Sequence, residues 1–124
     1  LESSIAGRAV KIPAGKSTVM AMLECFEPSL VAWRILERLT QAFVAIDDAA
    51  ALRTMRQLAF PLPPDPFVMS GESGGAGLGG LIEVMNDANA RKALALDENS
   101  IVLVFNTEGA TDATLYRSLL EREE

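Results

Sequence analysis

The stretch Phe67-Val68-Met69-Ser70-Gly71-Glu72-Ser73-Gly74-Gly75-Ala76-Gly77-Leu78-Gly79-Gly80-Leu81-Ile82 decides the fold class. Its apolar opening, Phe67 to Met69, is short and uninterrupted, as in a strand covered on both faces. Its continuation through Leu81, Ile82, Val84 and Met85 reads as a helix, and the small and polar residues from Ser70 to Gly80 suit the loop between. The same strand-then-helix change of period occurs on either side. Upstream, the apolar run Phe43 to Ile46 ends at Asp47 and Asp48, which suit helix capping. The helix that follows turns Leu52, Met55, Leu58 and Ala59 inward and Arg53, Arg56 and Gln57 outward, and stops at Pro61, Pro63, Pro64 and Pro66. Downstream, a short helix is expected around Ala88 to Ala95. Ile101 to Phe105 is the most strand-like run of all, followed by a turn from Asn106 to Thr111. Leu115, Tyr116, Leu119 and Leu120 then give a closing helix with a charged tail.

Three apolar strands alternating with helices predict the α/β class, here a partial three-layer sandwich with a parallel sheet and right-handed crossovers. In such sheets ligands gather where the strands end and the next helices present free amides. The residues past the three predicted strands are Asp47 and Asp48, then Ser70, Gly71, Glu72 and Ser73, then Asn106, Thr107 and Glu108. Before this core lies a helix-helix lead-in. Val19, Met20, Leu23 and Phe26 share one helical face up to Pro28. Ser29 is placed to cap a second helix with Leu30, Ile35, Leu36 and Leu39 inward and Arg34, Glu37, Arg38 and Gln41 outward.

Composition narrows the function classes. The 124 residues fit one domain, and an apolar content of 49% with 23% charged residues is that of a soluble globular protein. No run approaches the roughly 18 apolar residues of a membrane span, and Glu2, Ser3, Ser4 and Arg8 interrupt any signal-peptide core. A net charge of −6 argues against a nucleic-acid partner. The lone Cys25 fits a reducing, cytoplasmic setting. Histidine is absent, which removes Ser-His and Cys-His catalysis, imidazole metal sites and an imidazole general base. Chemistry beyond carboxylates, lysines, hydroxyls and amides must come from a cofactor or from outside this chain. No metal site is read from these residues.

Two motifs are set aside. Gly15-Lys16-Ser17-Thr18 ends like a phosphate loop, but Val10 stands where the first glycine of that motif belongs. Gly75, Gly77 and Gly80 satisfy the spacing of a dinucleotide fingerprint, yet Ser70 to Gly74 separate them from the strand, and the acid expected at the end of the next strand is displaced to Glu108. The plainer reading is that these glycines permit close helix packing. Glu72 ahead of a helix and Thr107 within a turn each have an equally ordinary structural role.

Taken together, Val68 to Gly79 and Val102-Leu103-Val104-Phe105-Asn106-Thr107-Glu108-Gly109-Ala110-Thr111-Asp112 closely resemble C-terminal segments of the 2,3-diaminopropionate ammonia-lyases, members of the fold-type II, tryptophan-synthase-like pyridoxal-phosphate enzymes. Ser17 to Trp33, with its Glu27-Pro28 pair, resembles the region preceding them, so the likeness covers most of the chain in order. The resemblance implies that residues 1–124 are a single fragment, the C-terminal part of the cofactor-binding catalytic domain of a fold-type II enzyme. It implies an α,β-elimination giving pyruvate and ammonia, pyridoxal 5'-phosphate as cofactor, a small amino-acid substrate and a homodimeric, cytoplasmic parent. Thr107 takes the place of the hydroxyl residue that faces the pyridine nitrogen, with Glu72, Ser73 and Gly74 near the ring. No catalytic residue is assigned. The family's Schiff-base lysine segment and main phosphate cradle have no counterpart in these residues, since Lys11, Lys16 and Lys92 lie in no similar segment. The isolated chain is therefore expected to be inactive and to expose apolar surface. A serine or threonine dehydratase of the same fold type, or a non-catalytic α/β binding module, are the alternative readings.

Overall fold

The computed structural model describes residues 1–121; the charged tail beyond Glu121 lies outside the described residues. The chain divides into two compact units, Leu1–Ala45 and Ile46–Glu124.

The first unit contains two helices, α1 (Glu2–Ala6) and α2 (Leu30–Leu39), with a 3₁₀ turn at Ala21–Leu23 between them. Gly7 ends α1 in the left-handed conformation at φ 63°, where a side chain would be strained. The helix expected through Val19 and Phe26 is reduced to that single turn. Ser29 caps α2 as expected, its hydroxyl accepting from the Ala32 N–H at 3.4 Å. The inward face differs from the expectation: Trp33 is the buried residue of α2, while Leu30, Ile35, Leu36 and Leu39 are exposed.

The second unit is built on α3 (Asp48–Ala59), α4 (Ala76–Asn86), α5 (Ala88–Ala93) and α6 (Ala113–Glu121). Asp47 starts α3 by accepting from the Ala50 N–H at 2.8 Å. The face of α3 carrying Met55 then packs on Tyr116 and Leu119 of α6, with Leu52, Ala110 and Leu120 around them. Met55 is fully buried. The Arg56 guanidinium donates to the Leu119 carbonyl at 3.2 Å, tying α3 to the last turn of α6. On its other side α3 meets α4. Gly79 makes that approach close, because a Cβ there would lie 3.0 Å from the Thr54 hydroxyl and 3.2 Å from Ile46 Cδ1. Arg53 and Glu83 pair at 2.9 Å across the same two helices.

The predicted parallel sheet is not formed. Among the described residues no strand occurs, so the chain is not an α/β sandwich; it is a set of helices joined by irregular segments. The three apolar runs expected as strands, 43–46, 67–69 and 101–105, carry no regular structure. A strand exists only as one side of a ladder, and none of these runs has a neighbouring strand to exchange backbone hydrogen bonds with. Their apolar side chains remain largely outside: Ile101, Leu103 and Phe105 are 100%, 77% and 73% exposed, against 44% and 39% for Val102 and Val104. That alternation is the strand period without the strand.

Candidate functional site

Two irregular segments of the second unit meet, and they are the two that the sequence singles out. Residues 70–75 lead into α4, and residues 106–109 follow the apolar run 101–105. The contact is made first by backbone, with the Gly71 N–H donating to the Glu108 carbonyl at 3.1 Å. Side chains then tie it on both flanks. Asn106 donates through Nδ2 to the Met69 carbonyl at 3.1 Å and presents Oδ1 to the Ser70 hydroxyl at 3.0 Å. One oxygen of the Glu108 carboxylate accepts the Ser73 N–H at 3.2 Å, while the other accepts the Thr111 hydroxyl at 3.2 Å.

This closeness needs glycine at two places. A Cβ on Gly74 would collide with the Glu108 carbonyl and with Asn106 Oδ1. A Cβ on Gly71 would stand 2.8 Å from both Glu108 Oε2 and the Gly109 carbonyl. The loop is correspondingly dry: Ser70 is fully buried and Ser73 is 3% exposed. The Ser70 hydroxyl is partnered, but the Ser73 hydroxyl is buried with no hydrogen-bond partner among the described residues. Burying an unpaired hydroxyl costs about 1–3 kcal/mol. Its neighbour Glu72 is half-buried just ahead of α4, where a negative charge suits the helix dipole.

Of the four residues singled out for a cofactor, Ser73 and Gly74 therefore pack directly on residues 106–108, and Glu72 stands beside them in the same loop. Thr107 lies on the opposing segment and is exposed. Alongside the junction is an apolar cavity of about 230 Å³, lined by Leu58, Val68, Gly74, Leu78, Val104 and Phe105 among others. Sequence reasoning named Asn106 and Glu108 only as polar residues near a predicted strand end. Their part in holding the loop was missed, although glycines at 71 and 74 facing a segment rich in hydrogen-bonding side chains are the signal that could have shown it.

The dinucleotide spacing finds no geometric counterpart. Gly77 has open space where a Cβ would sit, whereas Gly75 and, outside that fingerprint, Gly79 both lie close against Thr54 of α3, so the glycines serve helix packing. No helix among the described residues is long and apolar enough to cross a membrane.

No family model matches the chain. Individual proteins do. The diaminopropionate ammonia-lyase of Escherichia coli strain K12 is 37% identical over 121 residues, which is 95% of this chain and 30% of that enzyme. The crystal structure of the Escherichia coli enzyme in complex with an aminoacrylate-PLP azomethine reaction intermediate matches with a TM-score of 0.85 at 36% identity, over 97% of this chain and 30% of that one. The structure of the same enzyme in complex with D-serine matches with a TM-score of 0.82 at 34% identity, again over 97% and 30%. The chain thus spans about 30% of the length of the relatives it matches. Matched over nearly its whole length at more than a third of its positions, the chain is a homologue of part of diaminopropionate ammonia-lyase.

Proposed function

We propose that this chain is the C-terminal part of a pyridoxal-phosphate-dependent 2,3-diaminopropionate ammonia-lyase of fold-type II, and that it supplies one wall of the cofactor pocket. The observation that carries the reading is the packing of residues 70–75 on residues 106–109 in a homologue of that enzyme. The residues present fit the group. Thr107 offers an exposed hydroxyl to a pyridine nitrogen. Ser73 holds a buried hydroxyl without a partner among the described residues, and Gly74 brings backbone rather than side chain to the junction.

When bound, pyridoxal phosphate would serve as the electron sink for loss of the α proton and the β-amino group as a first ammonia, after which hydrolysis of the remaining C2 amine by water gives pyruvate and a second ammonia. The chain's own residues orient and enclose that chemistry. A threonine hydroxyl is too weak an acid to keep a pyridine nitrogen protonated, so Thr107 sets a moderate sink suited to β-elimination. Glu72 would stand near the ring, and the apolar cavity at Leu58, Val68 and Phe105 would give it an apolar flank. The lysine anchor is assigned to none of Lys11, Lys16 and Lys92, all exposed and all outside the two segments. The substrate is a small amino acid, and the parent enzyme is a cytoplasmic homodimer.

The test is pyruvate release from 2,3-diaminopropionate with added pyridoxal phosphate, by this chain alone and by the longer polypeptide that carries it. Activity in the longer protein and none in the 124 residues is the expected result. Pyruvate formed by the chain alone, or none formed by the longer protein, would overturn the proposal.

A further inference from the structure

We infer that Asn106 and Glu108 are a pair of positioning residues that lock the serine-glycine loop and thereby present Thr107. The inference rests on the cofactor reading above only in what Thr107 is presented to. Both side chains flanking Thr107 reach the serine-glycine loop. Asn106 holds Met69 and Ser70, and Glu108 holds Ser73 through its carboxylate and Gly71 through its backbone. The intervening Thr107 is left exposed. A hydroxyl that must meet a ligand at a fixed place needs its own backbone fixed, and among the described residues no strand ladder does this for residues 106–109.

The two side chains divide the work by chemistry. Asn106 has both a donor and an acceptor, and uses each on a different group of the loop: a carbonyl at Met69 and a hydroxyl at Ser70. Glu108 is acceptor-only when ionised, and both groups it meets are donors, the Ser73 N–H and the Thr111 hydroxyl. Thr111 fixes the carboxylate from behind, so its second oxygen stays on Ser73. The absence of side chains at Gly71 and Gly74 leaves the room that this arrangement requires. Asparagine at 106 is therefore replaceable by neither aspartate nor alanine, whereas glutamine at 108 keeps an acceptor for the Ser73 N–H.

Backbone amide exchange across residues 70–76, followed in the full-length polypeptide that carries this chain, tests the lock, and a titration of pyridoxal phosphate into the same protein tests its consequence. Glu108→Ala is expected to speed exchange at Ser73 about tenfold or more through loss of the acceptor for its N–H, with Glu108→Gln, which keeps an acceptor without the charge, falling between Glu108→Ala and the parent. Asn106→Asp is expected to loosen Ser70 and Gly71 because it faces the Met69 carbonyl with an acceptor. In the titration, Glu108→Ala and Asn106→Asp should weaken cofactor binding and shift its absorption spectrum, and Glu108→Gln should recover part of both. Unchanged exchange in Glu108→Ala, or a Glu108→Gln variant as loose as Glu108→Ala, overturns the lock. Altered exchange with an unaltered affinity and spectrum overturns its link to Thr107. A parent protein that binds no pyridoxal phosphate contradicts the proposed function instead, and exchange alone then decides the lock.

Discussion

Met55, Tyr116 and Leu119 on one side, and Ile101, Leu103 and Phe105 on the other, are comparably apolar, yet the first three are buried and the second three are among the most exposed side chains of the molecule. The difference lies in what each set meets. The helices that carry Met55 and Tyr116 satisfy their own backbones, so two of them need only shape to pack together. The run 101–105 cannot satisfy its backbone alone, and no neighbouring strand faces it. Apolar character states a preference for burial, and only a second surface fulfils it.

The comparison can be broken most sharply at its buried end. Met55→Ala should lower stability by about 2–5 kcal/mol in a urea titration, because it empties a fully enclosed site between α3 and α6. A loss below about 1 kcal/mol would mean that the contact with Tyr116 and Leu119 is not where the second unit is held. Gly74→Ala comes next, at about 1–3 kcal/mol, since the new methyl group meets the Glu108 carbonyl and must push residues 106–108 away. Its effect should be concentrated in the amides of residues 70–76, read by hydrogen exchange. Tyr116→Phe sharpens the core in the opposite direction. The Tyr116 hydroxyl is buried without a partner among the described residues, so its removal should raise stability by up to about 1 kcal/mol. Leu103→Ser should change thermal stability by less than about 0.5 kcal/mol while reducing self-association in sedimentation velocity, as expected of a largely exposed apolar side chain.

The sequence revealed helices where they carry their own signals. Asp47 and Ser29 announced the starts of α3 and α2 by capping chemistry, while of the inward face expected for α3 Met55 and Ala59 are buried, Leu52 and Leu58 half-buried, and Thr54, which was not foreseen, is buried with them. It misled where a pattern depends on a partner. The three apolar runs have the composition of strands, and composition does not say whether a ladder exists. Leu30, Ile35, Leu36 and Leu39 point the same lesson in α2: they form a stripe, yet Trp33 is the residue buried. At the site, the two segments were legible because small residues and hydrogen-bonding side chains concentrate in them. The pairing of Asn106 with Ser70 and of Glu108 with Ser73 spans some thirty-five positions, a separation that no local pattern encodes.

If residues 70–75 and 106–109 form a cofactor wall, Thr107 faces the ring and its hydroxyl matters to turnover. The most direct measurement is the steady-state rate of pyruvate release from 2,3-diaminopropionate by the longer polypeptide, compared across the parent, Thr107→Val and Thr107→Ser. The account predicts a fall in kcat of at least about tenfold for Thr107→Val, which keeps the shape and removes the hydroxyl, with recovery in Thr107→Ser. An unchanged kcat in Thr107→Val, with pyridoxal phosphate bound, would contradict it.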